Sequence, residues 1–218
     1  SEAVKMMRGK NSKDRGVVKL TILRAGEKEP LEFKIKRDLI KTDSVKARAE
    51  GDIIYIRISS FTTPTYVNMI KEFNRVENEI GKENVKGLVL DLRNNPGGLL
   101  DASVFVSDAF LDKGKKIVSI KGKNGTLMKE YKSLNDQDLI PNLPMVVLIN
   151  EGSASASEIV AGALQDNGRA IIVGKQSFGK GSVQSVIPLN NGGGIKLTIA
   201  KYYTPNDTSI QAEGIKPD

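Results

Sequence analysis

The chain has 218 residues, of which 39% are apolar and 27% charged, with a net charge of +7. That composition describes a globular chain with enough length for a sizeable core, neither disordered nor fibrous, and no apolar run approaches the roughly 20 residues of a membrane span. Cysteine and histidine are both absent, which excludes disulfides, zinc fingers and any Ser-His-Asp or cysteine-based catalytic site within the chain.

Residues 1–9 read as a short helix ending at Gly9, with Val4, Met6 and Met7 as its apolar positions. Strands are expected at 17–23 and 31–35, joined by a turn at 25–28; the second alternates cleanly between apolar and polar residues. A boundary falls near residues 37–40, and the segment before it is too short for an independent core. A strand at 53–58 follows the turn at 50–52. Residues 65–80 form a helix with apolar positions Val67, Ile70, Phe73, Val76 and Ile80, closed near Gly81. The pattern then becomes α/β. It has a buried-type strand at 88–90, a Pro96-Gly97-Gly98 loop leading into a helix, and strands at 117–120 and 145–149. A helix at 158–167 and a strand at 170–173 follow. Apolar strands alternating with helices predict a sheet covered on both faces. A hairpin closes the chain, running through Val183, Val186 and Ile187, a turn at 190–194, and a strand at 195–200.

The positive charge is dispersed. No run of five like charges occurs, and with 5% aromatic residues and no Trp the chain lacks stacking platforms for single strands. No nucleic-acid partner is expected; an anionic envelope surface explains the charge equally well. The chain opens Ser1-Glu2-Ala3-Val4-Lys5, which does not read as a signal peptide.

Three segments could carry chemistry. Residues 150–158 place Ser153, Ser155 and Ser157 among small residues between an apolar strand and a helix. A serine there lies beyond a strand's carboxyl end, where open α/β sheets bind ligands. Ser155 with Glu158 also fits a capping box, the structural reading of the same residues. Residues 174–181 nearly form a phosphate-binding loop, but Gly181 stands where that motif needs Ser or Thr, and a strand pattern follows instead of a helix. The Asn94-Asn95-Pro96-Gly97-Gly98 loop offers glycine amides for an anion or oxyanion, with an ordinary turn as the alternative. Without histidine, a serine nucleophile can take a lysine as its base, and Lys180 sits in the glycine loop after the next strand. A strand–helix–strand crossover returns parallel, so both loops leave the same sheet edge and Ser155 and Lys180 can meet. The lysine must be neutral, hence desolvated; Phe178 and the surrounding glycines suit that. Gln184, four residues on, is placed to hold the amine by its amide oxygen without adding charge.

Taken together, the motifs are more specific. The runs 88–98, 152–166, 177–181 and 195–198, with Tyr202-Tyr203-Thr204-Pro205, resemble the carboxyl-terminal processing (tail-specific) serine protease family, in the family's order. The resemblance implies an α/β, ClpP/crotonase-like core with an accessory β-rich segment. It implies Ser155 as nucleophile, Lys180 as general base 25 residues later (180 − 155), and Gln184 as the lysine-orienting residue. Asp166 matches an acidic position, read here as a helix-end support. The backbone amides of Gly98 and Ala156 would form the oxyanion hole, and no metal or cofactor is implied. The family carries a PDZ domain ahead of the core; residues 1–38 resemble its closing helix and strands, a PDZ remnant, with the protease core at 39–218. The implied partners are proteins or peptides with free, apolar C-termini, in an extracytoplasmic setting such as the bacterial periplasm or cell envelope. Membrane tethering of a full-length form and a homo-oligomer are both compatible with the resemblance. The competing reading is a catalytically silent binding module on the same fold.

Overall fold

The structure is a computed structural model that describes residues 4, 6–7, 16–38, 43–136, 138–190 and 192–218. It divides into two compact units, residues 1–42 and 43–218. In the first, strands β1 (Val17–Ile22) and β2 (Leu31–Lys36) form an antiparallel hairpin, with Val17 opposite Lys36 and Ile22 opposite Leu31. Gly26 turns the chain between them at φ +91°, a conformation glycine adopts without penalty. Val4, Met6 and Met7 are helical, and the Arg37 guanidinium donates to the carbonyls of Met6 and Met7, both at 2.9 Å. The rest of the helix expected at 1–9 lies outside the described residues, as do parts of the expected boundary at 37–40 and turn at 190–194.

The second unit is built on a five-stranded sheet in the order β3-β4-β5-β8-β9. Its strands are β3 (Val45–Glu50), β4 (Ile53–Ile58), β5 (Gly87–Asp91), β8 (Met145–Ile149) and β9 (Ile171–Gly174). The β3–β4 pair is antiparallel; β4–β5, β5–β8 and β8–β9 are parallel. A second, wholly antiparallel sheet runs β10-β11-β6-β7. It comprises β6 (Lys116–Lys121), β7 (Leu127–Lys132), β10 (Ser182–Pro188) and β11 (Gly194–Tyr203).

Helix α1 (Thr65–Ile80) packs on β3 and β4 through Thr65, Met69, Phe73 and Val76. That stripe follows the 3.6-residue period. It leaves Val67, an expected core position, 65% exposed, because Val67 lies two residues, or about 200°, round from Thr65. Helices α2 (Leu100–Asp108) and α3 (Ala156–Asp166) pack on each other, and both touch β6. Residues 156–164 of α3 are buried without interruption, so this helix runs through the core with no side facing solvent along that stretch, and Ser157 and Glu158 must find internal partners. The central strand β5 is covered on both sides. The expectation of two covered faces fails at the flanks, where β4 alternates (Ile54, Ile56 and Ile58 buried, the rest half-exposed) and β9 leaves Ile171 and Val173 exposed.

Candidate active site

Three loops leave the carboxyl ends of adjacent parallel strands: 92–99 after β5, 150–155 after β8 and 175–181 after β9. Parallel pairing puts all three at one edge of the sheet, where α/β folds assemble their sites.

The first loop is anchored at its base by Asp91, which is fully buried. Its carboxylate accepts the Arg93 backbone N–H at 2.9 Å, two Arg93 guanidinium bonds at 2.9 and 2.8 Å, Arg57 at 2.8 Å and the Tyr55 hydroxyl. Burial pushes the carboxyl up, but hydrogen bonds from Arg93 and Tyr55 outweigh it and hold Asp91 well below the usual carboxylate range. The turn itself is set by buried Asn95. Its amide donates to the Ile58 carbonyl and its Oδ1 accepts Gly97 N–H, both at 2.9 Å; its own carbonyl accepts Ala154 N–H at 3.0 Å and the Ser157 hydroxyl at 2.9 Å. Gly97 (φ +98°) lies so close to the serine turn that a Cβ would stand 2.6 Å from the Ala154 carbonyl oxygen and 2.8 Å from Ser155 Cβ. Gly98 (φ +148°) bridges to Phe61, whose carbonyl oxygen a Cβ would meet at 2.0 Å. Only glycine permits both approaches.

In the serine turn the three hydroxyls have different surroundings. Ser153 is buried, donates to the Leu92 carbonyl at 2.8 Å and accepts Asn150 N–H at 3.0 Å. Ser157 is buried and donates to Asn95. Ser155 alone is part-exposed, and it holds φ 57°, ψ −114° at the head of α3. A non-glycine residue in that region is strained, by about 1–3 kcal/mol. The neighbouring Gly98 and Ala156 N–H groups enter no hydrogen bond among the described residues.

Glu158 joins the serine turn to the lysine loop. It is fully buried, and its Oε2 accepts Ser155 N–H at 2.7 Å and Lys180 N–H at 2.9 Å. Its Oε1 accepts the Ser177 hydroxyl and Gly179 N–H, both at 2.6 Å. A buried carboxylate needs such donors; here they come from both loops, so one oxygen ties the backbones of Ser155 and Lys180 together. Sequence reading gave Glu158 only the role of capping partner. The signal for more was its place at the third position of a helix whose neighbours are all apolar or small, where a charge must have internal partners.

The lysine loop corrects one expectation. Ser177 and Gly179 point inward to Glu158, so the residues between and after them point out: Phe178 is 69% exposed and Lys180 is exposed. The apolar cover expected from Phe178 is therefore absent from this arrangement. Gln184 is exposed on β10 beside a register shift at Val183/Gln184, and no hydrogen bond between its amide and Lys180 occurs among the described residues. Asp166, expected as a helix-end support, accepts Asn206 N–H at 2.8 Å. Along the rim, exposed Glu151 and Lys175 pair at 2.8 Å, and that bond from Lys175 holds the Glu151 carboxyl below its ordinary value. Among the described residues no group of acidic side chains could hold a metal ion, and no helix is long and apolar enough to cross a membrane.

Comparison with known proteins matches residues 52–218 to the pattern of peptidase family S41. The chain is 52% identical over 219 residues to a carboxy-terminal-processing protease of Bartonella bacilliformis, covering all of this chain and 49% of that one. It is 38% identical over 218 residues to the carboxy-terminal processing protease CtpA of Bacillus subtilis, covering all of this chain and 44% of that protein. The chain thus spans about half the length of these curated relatives. Among solved structures, the photosystem II D1 C-terminal processing protease superimposes with a TM-score of 0.70 at 32% identity, covering 94% of this chain and 55% of that one.

Proposed function

The chain belongs to peptidase family S41, and on that footing we propose that it is the core of a serine endopeptidase that processes proteins near their C-termini. Ser155 Oγ attacks the scissile carbonyl while Lys180 Nζ takes its proton. The Gly98 and Ala156 N–H groups receive the oxyanion. Lys180 then returns the proton to the leaving amine, and water releases the acyl-enzyme with the same lysine as base. Gln184 orients the amine once the site is covered by substrate. The observation that carries this reading is the shared Glu158 oxygen, which holds the Ser155 and Lys180 backbones to one point. The distribution of hydroxyl bonds supports Ser155 over its neighbours, since Ser153 and Ser157 are spent on carbonyls.

The relatives' names supply the substrate class, proteins trimmed at the carboxyl terminus; the setting is extracytoplasmic. Unit 1 is the closing part of a PDZ domain. An exposed Lys180 is also what a non-catalytic binding module on this fold would show. Labelling with a fluorophosphonate, followed by peptide mapping, separates the two readings. Modification at Ser155 that Lys180→Ala abolishes supports the peptidase. No modification at Ser155, with peptide binding retained, supports the module.

A further inference from the structure

Beyond Glu158, the lysine loop is also held by later parts of the chain, Tyr202 of β11 and a strap over residues 209–215. Gly181 accepts Tyr202 N–H at 2.7 Å, and its own N–H donates to Gln211 Oε1 at 3.1 Å. The Gly179 carbonyl accepts Ala212 N–H at 2.8 Å. Ser177 N–H donates to the Ile215 carbonyl at 3.1 Å, and Ile215 N–H returns a bond to Ser177 Oγ at 2.7 Å. Gly181 and Gly214 let the two backbones touch: a Cβ at Gly181 would stand 2.4 Å from Gln211 N, and one at Gly214 2.7 Å from the Ser177 carbonyl oxygen. The strap is itself fixed, because Ile210 and Ile215 are buried in the main core and Gly214 N–H bonds to the Ile210 carbonyl at 3.0 Å.

Ser177 and Gly179 each bond both to Glu158 and to the strap, Gly179 by its backbone and Ser177 by its side chain. The Ser177 hydroxyl has one proton, given to Glu158 Oε1, and its lone pair takes Ile215 N–H. The strap therefore reaches, through one hydroxyl, the carboxylate that holds both Ser155 and Lys180. Gln211 fixes the far side of Lys180 by its side chain alone. We propose that Ser177 and Gln211 are positioning residues that set where Lys180 stands relative to Ser155, so that the 209–215 strap is part of the catalytic apparatus although it touches no reacting atom. This rests on the peptidase reading above. It differs from a general contribution to folding because the expected loss falls on the chemical step, since small misplacements of a reacting group cost rate more than binding.

The experiment uses this chain and its Ser177→Ala, Ser177→Thr and Gln211→Ala variants. It measures the rate of fluorophosphonate labelling at Ser155, kcat and KM on a disordered protein substrate, and thermal stability. Ser177→Ala should lower the labelling rate and kcat about 10- to 100-fold with KM within about twofold. Ser177→Thr, which keeps the hydroxyl, should recover most of that. Gln211→Ala, which removes one acceptor and leaves Glu158 untouched, should cost about 10-fold and serves should Ser177→Ala fold poorly. If the parent chain labels at Ser155 and both alanine variants label at the same rate, or Ser177→Thr does no better than Ser177→Ala, the positioning role is wrong while the peptidase reading stands. If the parent chain does not label at Ser155, the peptidase reading fails and takes this proposal with it.

Discussion

The turn that carries Ser155 and the loop that carries Lys180 leave adjacent parallel strands and share a carboxylate, yet they are built on opposite principles. The serine turn is pre-organised. Its neighbours are buried, its hydrogen bonds are internal, and Ser155 is held in a backbone conformation that only the surrounding contacts can enforce. The lysine loop fixes its backbone just as firmly, through Glu158 and Gln211, but sends the Lys180 side chain into solvent. A nucleophile needs aim, which a rigid turn supplies. A lysine base needs dehydration, which a backbone cannot supply and a covering substrate or domain can. The division of labour predicts that changes in the serine turn act on geometry and strain, whereas changes at Lys180 act on chemistry and leave stability alone.

The largest effects test the pair directly. Ser155→Ala and Lys180→Ala should each remove peptidase activity to the detection limit, with circular dichroism and melting unchanged. Lys180→Arg should not rescue, since a guanidinium stays protonated. Ser153→Ala and Ser157→Ala should instead cost about 1 kcal/mol of stability each, because each removes a buried hydrogen bond from a hydroxyl to a carbonyl, of Leu92 and Asn95 respectively. A fully active Lys180→Arg enzyme, or a Ser155→Ala enzyme that turns over normally, would end the comparison.

Gly97→Ala comes next. Its Cβ would press on Ala154 and Ser155 from 2.6 and 2.8 Å, and a reacting group displaced by about 1 Å can lose about 100-fold in rate. Steady-state kinetics should show kcat falling by that order. Gly114→Ala, whose Cβ would meet nothing within 4 Å at a similarly positive φ, is the control for backbone strain; equal losses in the two variants would deny that contact with the serine turn is what matters.

The anchor beneath the 92–99 loop gives a stability effect with a pH signature. Asp91→Asn leaves Arg57 and Arg93 without their buried counter-charge and should cost about 3 kcal/mol in a urea titration at pH 7. Since the folded-state value of Asp91 is depressed, its contribution is complete above the unfolded value near 3.9 and is lost as pH falls below it. The gap between parent and variant should therefore narrow below about pH 4. A gap that stays constant down to pH 3 would show that packing, rather than the carboxylate charge, carries the effect.

Sequence alone located elements with strong periodicity and lost those without it. The bounds expected for α1 coincide with the helix observed, because Gly81 ends a clear apolar repeat. The strand β3 went unseen because its inward positions, Val45, Ala47 and Ala49, are mostly small, and it is the antiparallel partnership with β4 that makes it a strand. The strand β7 went unseen because it is largely exposed and held by pairing to β6. In the candidate site, glycine and serine spacing marked three loops that the structure brings to one edge of the sheet. The web of Glu158, Ser177 and Gln211 was illegible, since it joins residues as far as 53 positions apart (211 − 158) through a fold that no local pattern encodes. The outward turn of Phe178 was missed for the same reason: the inward pull comes from a carboxylate on another element.

The smallest expected effect draws the contrast most finely. At φ 57°, ψ −114°, Ser155 stores strain of about 1–3 kcal/mol. Glycine removes that strain, at the cost of about 0.4–1 kcal/mol through the greater freedom of the unfolded chain. Ser155→Gly should therefore be more stable than the parent by about 1 kcal/mol, a rise of about 2–4 °C in Tm for a domain of this size, whereas Ser155→Ala keeps the strain and should melt with the parent. Lys180 carries no positive φ, so Lys180→Gly has no strain to release and should melt slightly below Lys180→Ala. Calorimetry on the four variants decides the matter: a Ser155→Gly protein no more stable than Ser155→Ala would mean that the serine turn holds no strain, and that the two loops differ only in where their side chains point.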